Sequence, residues 1–434
     1  AHLSALLKKG LISEEKRAVN RDLILIHAHA EAATQKRELV LSDEQSAALS
    51  TLTELYDSGE PRAALLEGVT GSGKTSVMLA LIDRVLASGR DVILLLPEIA
   101  LTPQTLSIFC ARYGEEVALL HSGMSAGERQ DSYNRIKNGA ARLVIGTRSA
   151  IFAPTKHLGL VIIDEEQEHT YKSDSSPRYH ARDIARLRCA HSKALMLLAS
   201  ATPSLESFYK AQSGTYTLVP LRERYGGVKL PDAIVVDMRE ELRLGNLSPI
   251  SQRLHTLLDR VYENGNQAIL FLNRRGYSTQ ISCKECGEVI TCPRCSVSMT
   301  YHTDNKGGKM LCHMCGYTSA VPKECSGCGS DNLSFLGYGT QKVEEEFSER
   351  FSQRILRMDA DSTAAKTSLE DLLNEFKERR GDVLLGTQMV TKGHDFPTVA
   401  LSGVLLADAS LYTHDFRASE RTFSLLTQVI GRAG

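Results

Sequence analysis

Eight residues, Gly68-Val69-Thr70-Gly71-Ser72-Gly73-Lys74-Thr75, constrain this chain more than any others, because they spell G-x-x-x-x-G-K-[ST]. An apolar run, Ala63-Ala64-Leu65-Leu66, precedes them and reads as a short strand; Ser76 to Ala87 follows and reads as a helix. That is the strand, loop and helix setting the pattern requires. Glycines let the backbone curl with its N–H groups inward, and the positive end of the next helix stands behind them. In such a nest Gly68 to Gly73 cradle phosphates, Lys74 reaches the β and γ groups, and Thr75 coordinates Mg²⁺. The expected ligand is ATP with its magnesium ion.

Composition narrows the rest. A length of 434 residues suits about three domains. The 51 basic and 52 acidic side chains give a net charge of −1, so any nucleic-acid surface must be local. No apolar run nears the roughly 20 residues of a membrane span, and no signal peptide stands at the start. The expectation is a cytoplasmic protein without a membrane partner. The sequence begins at Ala1 and stops at Gly434 inside a motif, which reads as a fragment.

After the loop, apolar runs alternate with helical stretches: Val92 to Leu96, Val117 to Leu120, Leu143 to Ile145, Leu160 to Ile163 and Ala194 to Leu198. Continuous apolar strands separated by helices predict a parallel sheet covered on both faces, with function at the strands' carboxyl ends. Those ends carry Pro97-Glu98, His121-Ser122-Gly123, Gly146-Thr147-Arg148, Asp164-Glu165-Glu166-Gln167 and Ser200-Ala201-Thr202-Pro203. Asp164 fits a magnesium ligand acting through water; Glu165 fits the base that positions and deprotonates an attacking water. The loop Tyr171 to Asp183 mixes two tyrosines with basic residues, which suits stacking on single-strand bases, although a plain surface loop explains it nearly as well.

Upstream, Leu41-Ser-Asp-Glu-Gln-Ser-Ala-Ala-Leu49 predicts a helix start with Ser42 or Asp43 as N-cap. Gln45 has the donor and acceptor to pair with adenine, but by itself reads as a surface glutamine. Residues 1–38 read as the tail of a preceding domain plus a linker, either an amphipathic arm or part of a nucleic-acid-binding winged helix.

A second α/β unit follows a linker near Arg222 to Pro231, with strands expected at Ala233 to Val236, Ala268 to Leu272, Ile355 to Met358, Val383 to Leu385 and Val399 to Leu406. It has no second phosphate loop. Two such lobes with one loop suggest a nucleotide held between them, with arginine supplied by the second.

Eight of the ten cysteines lie in four C-x-x-C pairs inside that second unit: Cys283/Cys286, Cys292/Cys295, Cys312/Cys315 and Cys325/Cys328. Eight thiolates make two tetrahedral zinc sites. Four pairs can combine in three ways. The middle pairs give C-x₂-C-x₁₆-C-x₂-C, within the zinc-ribbon spacing, which leaves the outer pairs to each other as a nested arrangement. Joining the first two pairs instead would force four ligands through a five-residue link, Gly287 to Thr291. His313 is expected to sit exposed rather than replace a ligand.

Taken in order, Gln45, GVTGSGKT, PEIALTPQ, HSGMSAGER, GTRSAIFAP, DEEQ, SATPS, FLNRRGY, GTQMVTKGHDF and QVIGRAG resemble the superfamily 2 helicases. The inserted cysteine pairs narrow the resemblance to the PriA family of bacterial replication restart, from about Leu41 to the end. The resemblance implies two RecA-like lobes, with bounds expected at 39–220, 221–282 and 331–434, and a double-zinc insertion at 283–330. It implies an ATP-driven 3′→5′ helicase acting on forked and single-stranded DNA. Primosome proteins and single-stranded-DNA-binding protein are its implied partners. It assigns Lys74, Asp164 and Glu165 to catalysis, Ser200 to Thr202 to coupling, and Gln428 and Arg432 to the γ-phosphate. Gln45, Gly68 through Thr75, Gly393 and Asp395 are assigned to the nucleotide, and Thr75 and Asp164 to magnesium.

Three departures accompany the resemblance. Gln167 stands where the family usually has histidine, so the contact linking hydrolysis to DNA is expected to differ. The family's N-terminal DNA-end-binding domain is absent, and the chain stops one residue short of a second expected arginine. Two other readings compete: a zinc-bearing fork-binding and protein-recruiting module with a weak ATPase, and a DNA-uptake translocase. DNA-stimulated phosphate release separates the first from the helicase; the second should carry its cysteines ahead of the first lobe.

Overall fold

The computed structural model describes residues 39–224, 231–246, 248–272, 280–302, 308–336, 340–358, 369–387, 396, 398–412 and 415–431. The expected winged-helix tail, the Asn273 to Tyr277 cluster, Gly393, Asp395 and Arg432 therefore lie outside the described residues. The chain divides into two compact units. One comprises Leu49–Ala64 and Ser76–Leu198; the other comprises Ser42–Ala48, Leu65–Thr75 and the chain from Ala199 onward.

Strands β1 (Arg62–Gly68), β2 (Asp91–Leu95), β3 (Val117–Leu120), β4 (Leu143–Gly146), β5 (Leu158–Asp164), β6 (Leu195–Ser200) and β7 (Thr217–Leu221) form a sheet of order β3-β4-β2-β5-β6-β1-β7. The β2/β4, β2/β5 and β3/β4 pairs run parallel. Every residue of β2, β4 and β6 is buried, as expected for strands covered on both faces. The edge strand β7 escapes a reading based on continuous apolar runs: it contains Pro220 and buries only Val219 and Leu221.

Helices α1 (Asp43–Asp57), α2 (Lys74–Ala87), α3 (Pro103–Tyr113), α4 (Ala126–Asn138), α5 (Ala181–Ser192) and α6 (Leu205–Gln212) alternate with these strands. Their starts are legible chemically. Thr102 caps α3, with Pro103 at its first turn, and Ser125 and Glu128 form a reciprocal capping box on α4.

In the second unit, β8 (Gln267–Leu272), β14 (Ile355–Met358), β15 (Val383–Gly386) and β16 (Val399–Leu405) form a parallel sheet of order β14-β15-β8-β16. Between β8 and β14 in sequence come the short strands β9 (Gln280–Cys283), β10 (Thr300–His302), β11 (Lys309–Leu311), β12 (Thr318–Ser319) and β13 (Leu333–Leu336). The helices here are α7 (Met238–Arg243), α8 (Gln252–Glu263), α9 (Thr340–Arg350), α10 (Leu369–Lys377) and α11 (Ala418–Ile430). The pleat sends alternate residues to opposite faces. Leu270, Val383 and Leu385 pack with Leu258 of α8 and Phe347 of α9, while Ile269 and Leu384 pack with Leu373 and Phe376 of α10.

One expected strand is absent. Ala233 to Val236 is irregular, with Val235 96% exposed and Ile234 54% exposed. β-Branched residues favour a pleated surface only where a neighbouring strand supplies hydrogen bonds and cover. No such partner stands beside this run among the described residues.

Candidate functional site: a phosphate loop, an acidic strand end and two cysteine clusters

The phosphate loop leaves β1 at Gly68 and enters α2 at Lys74. Gly71 and Gly73 hold φ of +81° and +76°, the left-handed region that glycine adopts without strain. A Cβ at Gly68 would lie 2.5 Å from Ser72 Oγ, so the loop has no room for a side chain there. Lys74 Nζ donates to the carbonyl oxygens of Gly68 at 2.6 Å and Val69 at 3.2 Å, which curls the ammonium back over the loop. α2 has no acidic residue in its first turn, leaving its positive end uncompensated. The buried Ser72 hydroxyl has no hydrogen-bond partner among the described residues. An orphaned hydroxyl in a glycine-rich loop at the positive end of a helix fits an anionic oxygen ligand, and so the loop fits a nucleotide's phosphates.

Gln45 is not on the surface. It is 2% exposed, and its Nε2 donates to the Ser72 carbonyl at 2.8 Å. Its Oε1 accepts from Ser42 N at 3.0 Å while Ser42 Oγ accepts from Gln45 N at 3.3 Å, a reciprocal cap at the head of α1. Twenty-seven residues separate Gln45 from Ser72, so the surface expectation had no local signal to correct it. In this structure the glutamine braces the phosphate loop through the backbone.

The carboxyl end of β5 carries the acidic pair. Asp164 Oδ1 accepts from Glu165 N at 3.0 Å, and Glu165 Oε2 accepts from Gln167 Nε2 at 2.7 Å. Glu165 has φ +47°, a left-handed conformation that is uncommon for a side chain of this kind and recurs at functional sites. Glu166 turns inward, its carboxylate wholly buried, and pairs with Arg182 at 2.8 Å. Tyr171, which the sequence does not flag for this role, lies beneath: its hydroxyl is 2.6 Å from the Asp164 carbonyl and 3.0 Å from that of Leu95. Burial, then the charges of Asp164 and Glu165, push its phenol well above the ordinary range, so it stays protonated.

The basic and aromatic loop hangs from the same strand end. Lys172 and His180 form an antiparallel bridge, and Ser173 N donates to the Tyr179 carbonyl at 2.7 Å. Phe152 meets the Tyr179 ring edge-on at 5.0 Å, with the Arg148 guanidinium 5.9 Å from the same ring. Arg178 is exposed at the tip and Tyr179 is half-buried beside it. Through Arg182 and Glu166, this basic and aromatic loop is tied to the residue after Glu165.

In the second unit, the segment after β6 meets α11. Thr202 Oγ1 lies 2.6 Å from Ser424 Oγ, Leu205 N donates to Glu420 Oε1 at 3.0 Å, and Arg417 pairs with Glu206. Gln428, on the same helix, is buried at 6% exposure. Beyond it Gly431 packs directly on the phosphate loop: a Cβ there would sit 2.6 Å from Thr70 Cβ. Thr75 is exposed at the head of α2.

The eight paired cysteines fall into two groups, Cys283, Cys286, Cys325 and Cys328, and Cys292, Cys295, Cys312 and Cys315, with thiols in each group all within 4.8 Å of one another. Cross-pair Sγ distances of 3.5 Å (Cys283 to Cys328 and Cys286 to Cys325), 3.6 Å (Cys292 to Cys315) and 3.4 Å (Cys295 to Cys312) compare with edges of about 3.8 Å for a tetrahedron of 2.3 Å zinc–sulfur bonds. The donor set and its spacing fit zinc.

Each pair adopts one turn. The first cysteine's carbonyl accepts from the residue four positions on (Gly287, Ser296, Gly316 and Gly329), and that residue has φ between +56° and +77°. The Cys286 N–H aimed at sulfur draws the Cys283 thiol down to about 7. His313 is exposed, its Nε2 3.0 Å from that of His302. The C-x-x-C-Gly pattern was available in the sequence as a sign of this turn; Ser296 alone breaks it.

Comparison with known proteins fits this geometry. Residues 42–211 match the DEAD/DEAH box helicase family, and residues 292–319 match the PriA DNA helicase Cys-rich region domain. The chain is 48% identical over 436 aligned residues to the replication restart protein PriA of Bacillus subtilis (strain 168), covering 100% of this chain and 53% of that protein. This chain belongs to the PriA family. The PriA of Synechocystis is 45% identical across 85% of the chain and 46% of its own length. The chain thus spans about half the length of the PriA relatives it matches. Among solved structures, RecG bound to a three-way DNA junction shares the fold, with TM-score 0.51 and 18% identity over 95% of this chain and 43% of RecG. The DUF1998 helicase MrfA bound to DNA does so with TM-score 0.51 and 12% identity, over 97% of this chain and 50% of MrfA. Among the described residues, no helix is long and apolar enough to cross a membrane.

Proposed function

We propose that this chain is the motor of an ATP-dependent 3′→5′ DNA helicase that acts at stalled or repaired replication forks. Primosome proteins and single-stranded-DNA-binding protein are its partners in this reading, and the nucleoid its place of work. The observation that carries the reading is the phosphate loop, gripped by Gln45 and packed against Gly431 at the end of α11, in a chain 48% identical to a replication restart protein.

Bound ATP with Mg²⁺ supplies the high-energy phosphoanhydride and the charge neutralisation its cleavage needs. Lys74 exchanges the Gly68 and Val69 carbonyls for phosphate oxygens. Thr75 and Asp164 would hold the magnesium. Glu165, fixed by Gln167, orients the attacking water and takes its proton; Gln428 and Arg432 are assigned to the γ-phosphate, and Gly393 and Asp395 to nucleotide binding. Arg178 and Tyr179 meet single-stranded DNA, and the Glu166–Arg182 pair carries that contact to the acidic strand end. The two cysteine groups would each hold a zinc ion, which would make the inserted module a rigid surface for strand separation and docking.

Phosphate release with and without forked DNA tests the reading. Strong stimulation by the fork is expected of the full-length protein. Fork binding with no ATP turnover would replace the motor by a zinc-bearing recruiting module.

A further inference from the structure

Arg224 lies outside every segment that the motif pattern singles out, yet three attachments deliver it to the phosphate loop. Val69 N donates to the carbonyl of Leu221, the last residue of β7, at 3.1 Å. The Glu44 carboxylate accepts from the backbone N–H groups of Arg222 at 2.7 Å and Glu223 at 3.2 Å. Gln45, next in sequence, holds the Ser72 carbonyl. The first turn of α1 thus grips both the phosphate loop and the segment that carries Arg224.

The guanidinium lies against the middle of the loop. A Cβ at Gly71 would come within 3.1 Å of Arg224 Nε, and Nη2 donates to the Gly431 carbonyl at 3.0 Å. Gly431 has an ordinary helical φ of −66°, so conformational freedom does not explain its glycine; the closeness of Thr70 does.

We propose that Arg224 is a positioning residue: it clamps the end of α11 onto Thr70 and Gly71, so that Gln428 is registered against nucleotide bound in the loop. The inference rests on the hydrolase reading and adds a state-sensing contact to it. A guanidinium has five donors in a fixed fork, so it can keep the Gly431 carbonyl while turning another N–H toward phosphate charge arriving beside Gly71. A lysine in its place is a point charge on a flexible stem and cannot span both partners with the same geometry.

The test uses the full-length protein and the variants Arg224→Ala, Arg224→Lys and Gly431→Ala. Three quantities are read: equilibrium affinity for a fluorescent ATP analogue, kcat and KM for ATP with and without forked DNA, and the melting midpoint. Arg224→Ala should lower fork-stimulated kcat about tenfold while nucleotide affinity changes less than about threefold, the pattern of a contact made along the reaction path rather than in ground-state binding. Arg224→Lys should recover less than half of that loss. Gly431→Ala keeps the guanidinium but pushes a methyl group into Thr70, and should reproduce the phenotype.

The clamp is overturned by parental kcat in Arg224→Ala. A tenfold loss of affinity with kcat preserved overturns it equally, because Arg224 would then be a plain phosphate ligand, as does full additivity of Arg224→Ala with Gly431→Ala. If Arg224→Ala melts early, Arg224→Lys, which keeps the charge, decides on the same criteria. Lys74→Ala separates this inference from the reading beneath it. Turnover persisting in Lys74→Ala sinks the hydrolase reading; a dead Lys74→Ala beside a normal Arg224→Ala sinks only the clamp.

Discussion

The hydroxyl oxygens of Thr202 and Ser424 lie 2.6 Å apart, joining the segment after β6 to the helix that also carries Gln428. Thr202 is buried at 6% exposure, and Ser200 Oγ accepts its backbone N–H at 2.9 Å, so the hydroxyl is held in place. Glu206 with Arg417, and Leu205 N with Glu420, flank the same contact. A step that couples nucleotide chemistry to movement needs a bond of this kind, short enough to fix a register and weak enough to break.

Thr202→Ala and Ser424→Ala should each reduce fork-stimulated unwinding while leaving ATP affinity near parental. A neutral hydrogen bond contributes about 1 kcal/mol net. The double variant should therefore be no worse than the more affected single one, a coupling of about 1 kcal/mol in a double-mutant cycle on kcat. Additive losses would mean that the two hydroxyls act separately.

Lys74→Ala is expected to abolish ATP turnover and to preserve DNA binding within a few fold, because the lysine lies over the phosphate loop, where it donates to the Gly68 and Val69 carbonyls. Filter binding to forked DNA alongside phosphate release makes the comparison; parallel loss of both would assign the lysine to fold rather than to phosphate.

Glu165→Gln should trap ATP without hydrolysing it, since an amide cannot take the water's proton. Gln167→Ala should behave more mildly. It removes the 2.7 Å donor that orients the Glu165 carboxylate, so kcat should fall by about tenfold with KM nearly constant. Native turnover in Glu165→Gln would show that the base is another group.

Two zinc ions per chain are expected from freshly reduced protein, and their removal should unfold the insertion, which has only a small apolar core around Ile281, Met299 and Met310. Structural Cys₄ sites contribute on the order of 10 kcal/mol to such modules. Metal analysis returning one zinc or none would contradict two sites, and coordinates placing Cys286 and Cys292 on one ion would contradict the nested arrangement alone.

Ser296 occupies the left-handed turn position that glycine fills in the other three C-x-x-C turns, with φ +56°. Ser296→Gly should relieve about 1 kcal/mol of backbone strain and slow zinc release to a chelator by roughly fivefold. Faster release would mean that the serine side chain, not the backbone, matters there.

Several of these features were legible in the sequence because their physics is local. A phosphate loop is set by glycines at fixed offsets before a helix, and Gly71 and Gly73 take left-handed φ as that spacing demands. Continuous apolar runs became buried strands wherever a neighbour could pair with them, and the C-x-x-C spacing set the geometry of each turn. What only the tertiary structure decided concerns contacts across long separations. Gln45 reads as a surface residue until Ser72, 27 positions away, supplies its acceptor. Tyr171 reads as one tyrosine in a loop until Leu95 and Asp164 close over its hydroxyl. Ala233 to Val236 carries strand propensity and forms no strand, because propensity cannot supply the missing edge. Arg224 has no motif, since its task is defined by Gly71 and by Gly431, 207 residues on, and no periodicity within one segment encodes a meeting of two others.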